Sequence, residues 1–202
     1  VRHDPVLRGL AAGAMGLAAM WGVLGATWLL YATQELHLDP ALIGVIAALG
    51  GFGSLIGSLF VVRATTRFGI GPVTVVAALI ASLATLLIPL APAGLPILAV
   101  ACLLGQQLVG DAAVTMFEVT EVSVRQARVG DRQLGRVNAT VHVVAVLAQL
   151  VGTIGGGLLA EALGLRVATI LAPLGALLGA TAIWLSPVRR LRTIESPGVE
   201  TN

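Results

Sequence analysis

The chain has 202 residues, 57% hydrophobic and 11% charged, with a net charge of +2 and a mean hydropathy of +0.96. A soluble globular domain carries about 25% charged residues, so solubility in water is excluded and an integral membrane protein is expected. The single cysteine, Cys102, excludes an intrachain disulfide or a cysteine metal cluster.

Six apolar runs are each long enough to cross a hydrocarbon core of roughly 30 Å: about Leu10 to Tyr31, Ala41 to Val62, Pro72 to Ile88, Pro96 to Glu118, Val137 to Ala160, and Val167 to Ser186. The first is too long for a signal-peptide core. The first residue is Val rather than Met, which leaves open a non-ATG start or an earlier beginning. Asp39 and Pro40 supply a cap and a first-turn proline to the second helix, Pro72 opens the third, and Pro89, Pro92 and Pro96 separate the third from the fourth. Pro173 lies inside the sixth run and predicts a kink, and Pro187 closes it. Residues 1–192 thus read as one six-helix domain, and residues 193–202 as a polar tail expected to be disordered.

All 12 basic residues are arginine. Arg2 and Arg8 precede the first helix, Arg63 and Arg67 follow the second, Arg125, Arg128, Arg132 and Arg136 fill the fourth connection, and Arg189, Arg190 and Arg192 follow the sixth. Arg166 alone falls on the other side. Cytoplasmic loops retain an excess of basic residues, so a multi-pass protein with both termini in the cytoplasm is expected. Glycine pairs at spacing four, Gly9 and Gly13, Gly53 and Gly57, Gly152 and Gly156, Gly175 and Gly179, let helices approach closely in lipid. Ordinary packing within the bundle explains them more simply than a dimer motif does.

The charge inside this apolar chain gathers between Pro96 and Thr140. Gln107, Asp111, Thr115 and Glu118 recur at spacings of four, four and three, and so share one face of the fourth helix. Asp111 lies about 22 Å from Pro96 and about 10 Å from Glu118 along the axis. A carboxylate at that depth is costly against lipid, so it is expected to face a cavity or partner. A proton or substrate role and a buried structural hydrogen bond are the two readings of Asp111. Glu118 and Glu121 stand at the inner edge, within reach of Arg63, Arg67 and Arg125, and read as ion pairs of an inner gate; Arg136 belongs to the same edge. The fifth helix carries Asn138, His142 and Gln149, with His142 about 9 Å inside Arg136, and an approach between Asp111 and His142 is expected. Trp21, Trp28 and Tyr31 either line a pathway or pack as interfacial anchors. Asn138-Ala139-Thr140 matches a glycosylation sequon but falls on the cytoplasmic side. No nucleophile triad or metal-ligand set is present, so no cofactor, no metal, no nucleic-acid partner and no enzyme activity are expected.

The run Val122 to Thr140, VSVRQARVGDRQLGRVNAT, resembles the loop between the tenth and eleventh helices of major facilitator superfamily exporters. Within that superfamily it is similar to the branch of enterobactin exporters and macrolide-efflux proteins, with Gly130 where proline is usual. Gly57 to Arg63 followed by Arg67, Phe68 and Gly69 looks like the superfamily's degenerate glycine and arginine loop, without its acidic residue. Gly152 to Gly156 is similar to the antiporter helix motif, with Thr153 in place of proline.

The resemblance implies an all-α membrane fold of two inverted three-helix repeats, corresponding to the C-terminal half of such a transporter. It also implies export of small hydrophobic or amphipathic molecules across the plasma membrane by alternating access, with proton coupling. The expected partners are a small-molecule substrate, the lipid bilayer, and a missing N-terminal six-helix half or partner subunit. The alternative is a non-transporting assembly subunit or a truncated remnant.

Overall fold

The computed structural model describes residues 4–192, which are helical with no strand among them. Among the described residues six helices are long and apolar enough to cross a membrane: Pro5–Glu35, Pro40–Phe68, Ile70–Leu90, Pro96–Arg128, Arg132–Leu163 and Leu165–Leu185. The polar tail expected over residues 193–202 lies outside the described residues.

The starts of these spans follow from their first residues. Asp4 Oδ1 accepts hydrogen bonds from the backbone N–H groups of Val6 at 2.8 Å and Leu7 at 3.4 Å, and Asp39 Oδ1 accepts from Ala41 at 2.8 Å. Each carboxylate satisfies donors that a helix start leaves open, and the proline that follows it has no N–H to satisfy. Pro173 interrupts the sixth span, which runs as Leu165–Leu171 and Pro173–Leu185 around Ala172. The ring removes the bond to the carbonyl four residues back, as expected from the sequence. The fourth span continues as helix past Glu118 to Arg128, because its last turns still bury Thr120, Glu121 and Val124.

A single glycine turns the second span into the third and another turns the fifth into the sixth: Gly69 at φ 90 and Gly164 at φ 91. Side chains avoid that backbone conformation, so glycine serves at both corners. The two corners occupy equivalent places in spans one to three and four to six. Packing repeats the equivalence: the first span packs on the fifth and sixth, the fourth packs on the second and third, and the third meets the sixth. Each repeat therefore lends its first helix to the other, and the six spans form one bundle of two exchanged three-helix repeats.

Small residues bring these helices together. A Cβ at Gly16 would run into the Gly175 carbonyl, one at Gly22 into that of Gln149, one at Gly57 into that of Ala112, and one at Gly152 into that of Ala19. These contacts all lie within the chain. The buried hydroxyls of Thr27, Thr74, Ser82 and Thr85 donate to the carbonyl four residues earlier, which satisfies them without water.

Every described arginine except Arg166 sits at the end of the bundle where the first span begins. Arg166 is tied down: its Nε donates to the Pro89 carbonyl at 3.1 Å, and the buried Tyr31 hydroxyl donates to the same oxygen at 3.4 Å. Tyr31 thus clasps the end of the third span and takes the packing reading of the two open for it.

Candidate functional site

The fourth span is not a continuous α-helix. Gln106–Gly110 forms a π-turn between Pro96–Gly105 and Asp111–Arg128. Such a turn holds one residue more than an α-turn, so the positions after it are rotated by about 100° from a straight reading of the helix. Of the face expected to align Gln107, Asp111, Thr115 and Glu118, Gln107 and Asp111 stay together on one cavity wall, and Glu118 lines another.

Two cavities meet that face. The first, about 270 Å³, is lined by Trp21, Leu24, Trp28, Gln106, Gln107 and Asp111, with Ala47 of the second span. Gln107 Nε2 donates to the Ile46 and Ala47 carbonyls, each at 3.4 Å. Gly50 leaves the room this needs: a Cβ there would collide with Asp111 Oδ2 and stand 2.7 Å from Gln107 Nε2. Among the described residues, Asp111 Oδ1 and Trp28 Nε1 are buried with no hydrogen-bond partner. An unpaired acceptor and an unpaired donor therefore stand on the wall of one cavity, between indole rings and leucines. Such a wall fits a small molecule whose apolar body carries a group that donates and accepts hydrogen bonds.

The second cavity, about 370 Å³, is lined by Glu118, Glu121, Arg125, Asn138, His142 and Gln149, with Phe117 and Trp21. Glu121 and Arg125 form an ion pair at 2.5 Å across one helical turn, with side chains 7% and 13% exposed. Arg125 Nε and Asn138 Oδ1 are buried without partners among the described residues. Glu118, His142 and Gln149 are exposed on the open side.

The expected approach of Asp111 to His142 yields no hydrogen bond or ion pair among the described residues. They line different cavities, and Trp21 stands on the wall of both. Similar depth in the membrane was the basis of that pairing, and depth says nothing about the direction a residue faces around its helix. Thr115 lines neither cavity. The expected cross-helix pairs of Glu118 and Glu121 with Arg63 and Arg67 are not formed among the described residues. Arg63, Arg67 and Arg136 are exposed, and the Arg67 guanidinium lies 5.4 Å from the Phe68 ring centre. The second ion pair joins Arg128 to Asp4 at 3.4 Å, fastening the fourth span to the start of the first.

Sequence reasoning missed Gln106 and Gly50. Gln106 falls off the polar face of a straight helix, and only the π-turn brings it to the cavity. Gly50 carried a signal in its spacing from Gly53 and Gly57, which pack against the backbone of Leu108 and Ala112 on the same neighbouring span. Trp21 and Trp28 both line cavities and both pack against the core. Among the described residues no group of three His, Cys, Asp or Glu side chains gathers as a metal site.

A model of the Major Facilitator Superfamily matches residues 10–201. Comparison with curated proteins finds no match. The match covers nearly the whole chain and agrees with the six crossings and their exchanged packing: the chain belongs to the major facilitator superfamily, a family of membrane transporters.

Proposed function

We propose that this member of the major facilitator superfamily exports small hydrophobic or amphipathic molecules, of drug or siderophore type, by alternating access coupled to protons. The observation that carries the reading is the cavity at Asp111, where among the described residues a carboxylate oxygen at membrane depth stands unpaired on the same wall as the unpaired Trp28 Nε1. A charge placed there is costly unless it meets a ligand, a proton or a partner. Trp21 and Leu24 accept the apolar body of a substrate, while Asp111, Gln107 and Trp28 fix its polar group.

The exposed Glu118, His142 and Gln149 support a second element of the proposal. Polar side chains at membrane depth require cover from lipid, and six further helices, in the same polypeptide or in a partner subunit, would supply it. The likeness of Val122 to Thr140 to the tenth-to-eleventh helix loop supports placing these six spans in the C-terminal half. Glu121 and Arg125, with Glu118, Arg63, Arg67 and Arg136 at the same end, act as the inner gate, making and breaking pairs as the halves rock. The arginine bias supports a plasma-membrane protein with both termini in the cytoplasm.

The test is efflux of a panel of amphipathic dyes from cells expressing the chain together with a complementary six-helix half, with and without an uncoupler. Wild-type protein should lower dye accumulation and lose that ability when the proton gradient collapses. Asp111→Asn should reduce efflux at least about tenfold, the scale of one lost charge-assisted contact. Full efflux by both Asp111→Asn and Asp111→Ala would overturn the assignment.

A further inference from the structure

Two cavities on the far side of the first span play no part in the site above. They measure about 620 and 630 Å³, lie between the first, fifth and sixth spans, and share Ala12, Met15 and Val144, so they form one groove. Beyond Pro5 and Pro187 at its mouth, its walls run over positions 8–19 of the first span, 140–151 of the fifth and 175–186 of the sixth, a rise of about 16 Å in each. That is about half of a hydrocarbon core of roughly 30 Å, the depth of a single leaflet. The floor is kept low by Gly16, Gly175 and Gly179, and the walls are apolar from Met15 inward.

The mouth of the groove carries Arg8. Asp4, one turn earlier, is engaged elsewhere: it caps the helix and pairs with Arg128. Among the described residues Arg8 has no ion-pair partner, and its side chain is exposed at the arginine-rich end. At that same end Trp184 is exposed with the Arg189 guanidinium 5.2 Å from its ring centre, a pairing that marks headgroup level.

We infer that this groove binds one anionic phospholipid, with an acyl chain along the first span and the phosphate on Arg8. A chain of one leaflet's depth matches the groove's length, and a cation at its mouth with no ion-pair partner among the described residues selects a negative headgroup over a zwitterionic one. The leaflet is the cytoplasmic one on the arginine-based orientation; the binding itself does not depend on that assignment or on the transport reading.

The test takes the full chain from vesicles of equal phosphatidylcholine and phosphatidylglycerol into mild detergent, where retained lipid is counted by native mass spectrometry. Wild-type protein should hold phosphatidylglycerol in preference. Arg8→Gln should lower its retention relative to phosphatidylcholine about fivefold, the contribution of one arginine near a membrane surface, while Arg132→Gln leaves the ratio unchanged. Met15→Trp, filling the stretch common to both cavities from a 38% exposed position, should lower retention of both lipids. A wild-type lipid ratio in Arg8→Gln overturns the inference, and that variant decides the question even if Met15→Trp fails to fold. A dimer in the wild-type spectra that Met15→Trp dissolves would overturn it too, by showing a second copy in the groove.

Discussion

Gly50 and Gly51 are adjacent on the second span and differ in what an added methyl would meet. At Gly50 the new Cβ collides with Asp111 Oδ2 and crowds Gln107 Nε2, whereas at Gly51 it meets nothing within 4 Å. Gly50→Ala therefore overpacks the site, at a cost of about 1–3 kcal/mol. Displacing Gln107 from two long hydrogen bonds, each 3.4 Å, adds about 1 kcal/mol. Both substitutions gain up to about 1 kcal/mol of helix preference. The balance is a loss of about 1–3 kcal/mol for Gly50→Ala and a small gain for Gly51→Ala. At about 2–4 °C per kcal/mol for a chain of this size, the first should melt about 2–12 °C below wild type and the second at or slightly above it, measured by thermal unfolding in detergent. Adding Gln107→Ala to Gly50→Ala removes one of the two crowded groups and should restore part of the loss, a coupling on the order of 1 kcal/mol. Gly50→Ala and Gly51→Ala melting together would refute the packing of Gly50 against Asp111.

Three further outcomes are expected. Glu121→Ala leaves the Arg125 guanidinium, 13% exposed, without its counter-charge and should cost about 3–5 kcal/mol, while Arg128→Ala, which loses a more exposed pair with Asp4, should cost at most about 1 kcal/mol; equal melting temperatures would contradict the burial assigned to the first pair. Trp28→Phe keeps a ring but removes an N–H that has no partner, so it should change stability by less than about 1 kcal/mol and weaken substrate binding; a large loss of stability with unchanged dye efflux would mean that Nε1 serves the fold. Ala at Gly69 or Gly164 forces a side chain into φ near +90 and should cost about 1–3 kcal/mol at either corner. The loss should be larger at Gly69, where the Arg192 Cα stands 3.1 Å from the new atom, than at Gly164, where the space is open.

The crossings were legible because their ends are written in local chemistry. Asp39 with Pro40, Pro96, and the kink at Pro173 each act within a turn of themselves, and the apolar runs between them are too long to be anything but membrane spans. Where hydropathy fell, the reading stopped short: helix continues from Glu118 to Arg128 because Val124 and Glu121 are buried by neighbouring spans, and no apolar run records that. The site was legible as a list and not as an arrangement. Asp111 and Gln107 declared themselves by being polar at depth, but the direction they face depends on a π-turn that has no sequence signature. The separation of Asp111 from His142 depends on Trp21 and on packing between distant parts of the chain. Gly50 shows the same limit, since the carboxylate that needs its missing side chain is on another span.

The π-turn also bears on why Asp111 stands where it does. The two repeats match at their glycine corners and in their exchanged packing, and the first span of each opens on a proline, Pro5 and Pro96. Gln106–Gly110 begins ten residues after Pro96, whereas the π-turn of the first span, Tyr31–Glu35, lies at its far end. The repeats therefore part company inside the fourth span, within one turn of Asp111. The extra residue brings Gln106 onto the cavity wall that Gln107 and Asp111 share, a position that a continuous α-helix would turn away from them. From the same face of the second span as Gly50, Gly53 presses against the Leu108 backbone within the turn and Gly57 against that of Ala112 just beyond it, which holds the widened helix in place. A symmetric scaffold of two repeats can carry an asymmetric site in this way, with one local departure from α geometry supported by glycines on the neighbouring span.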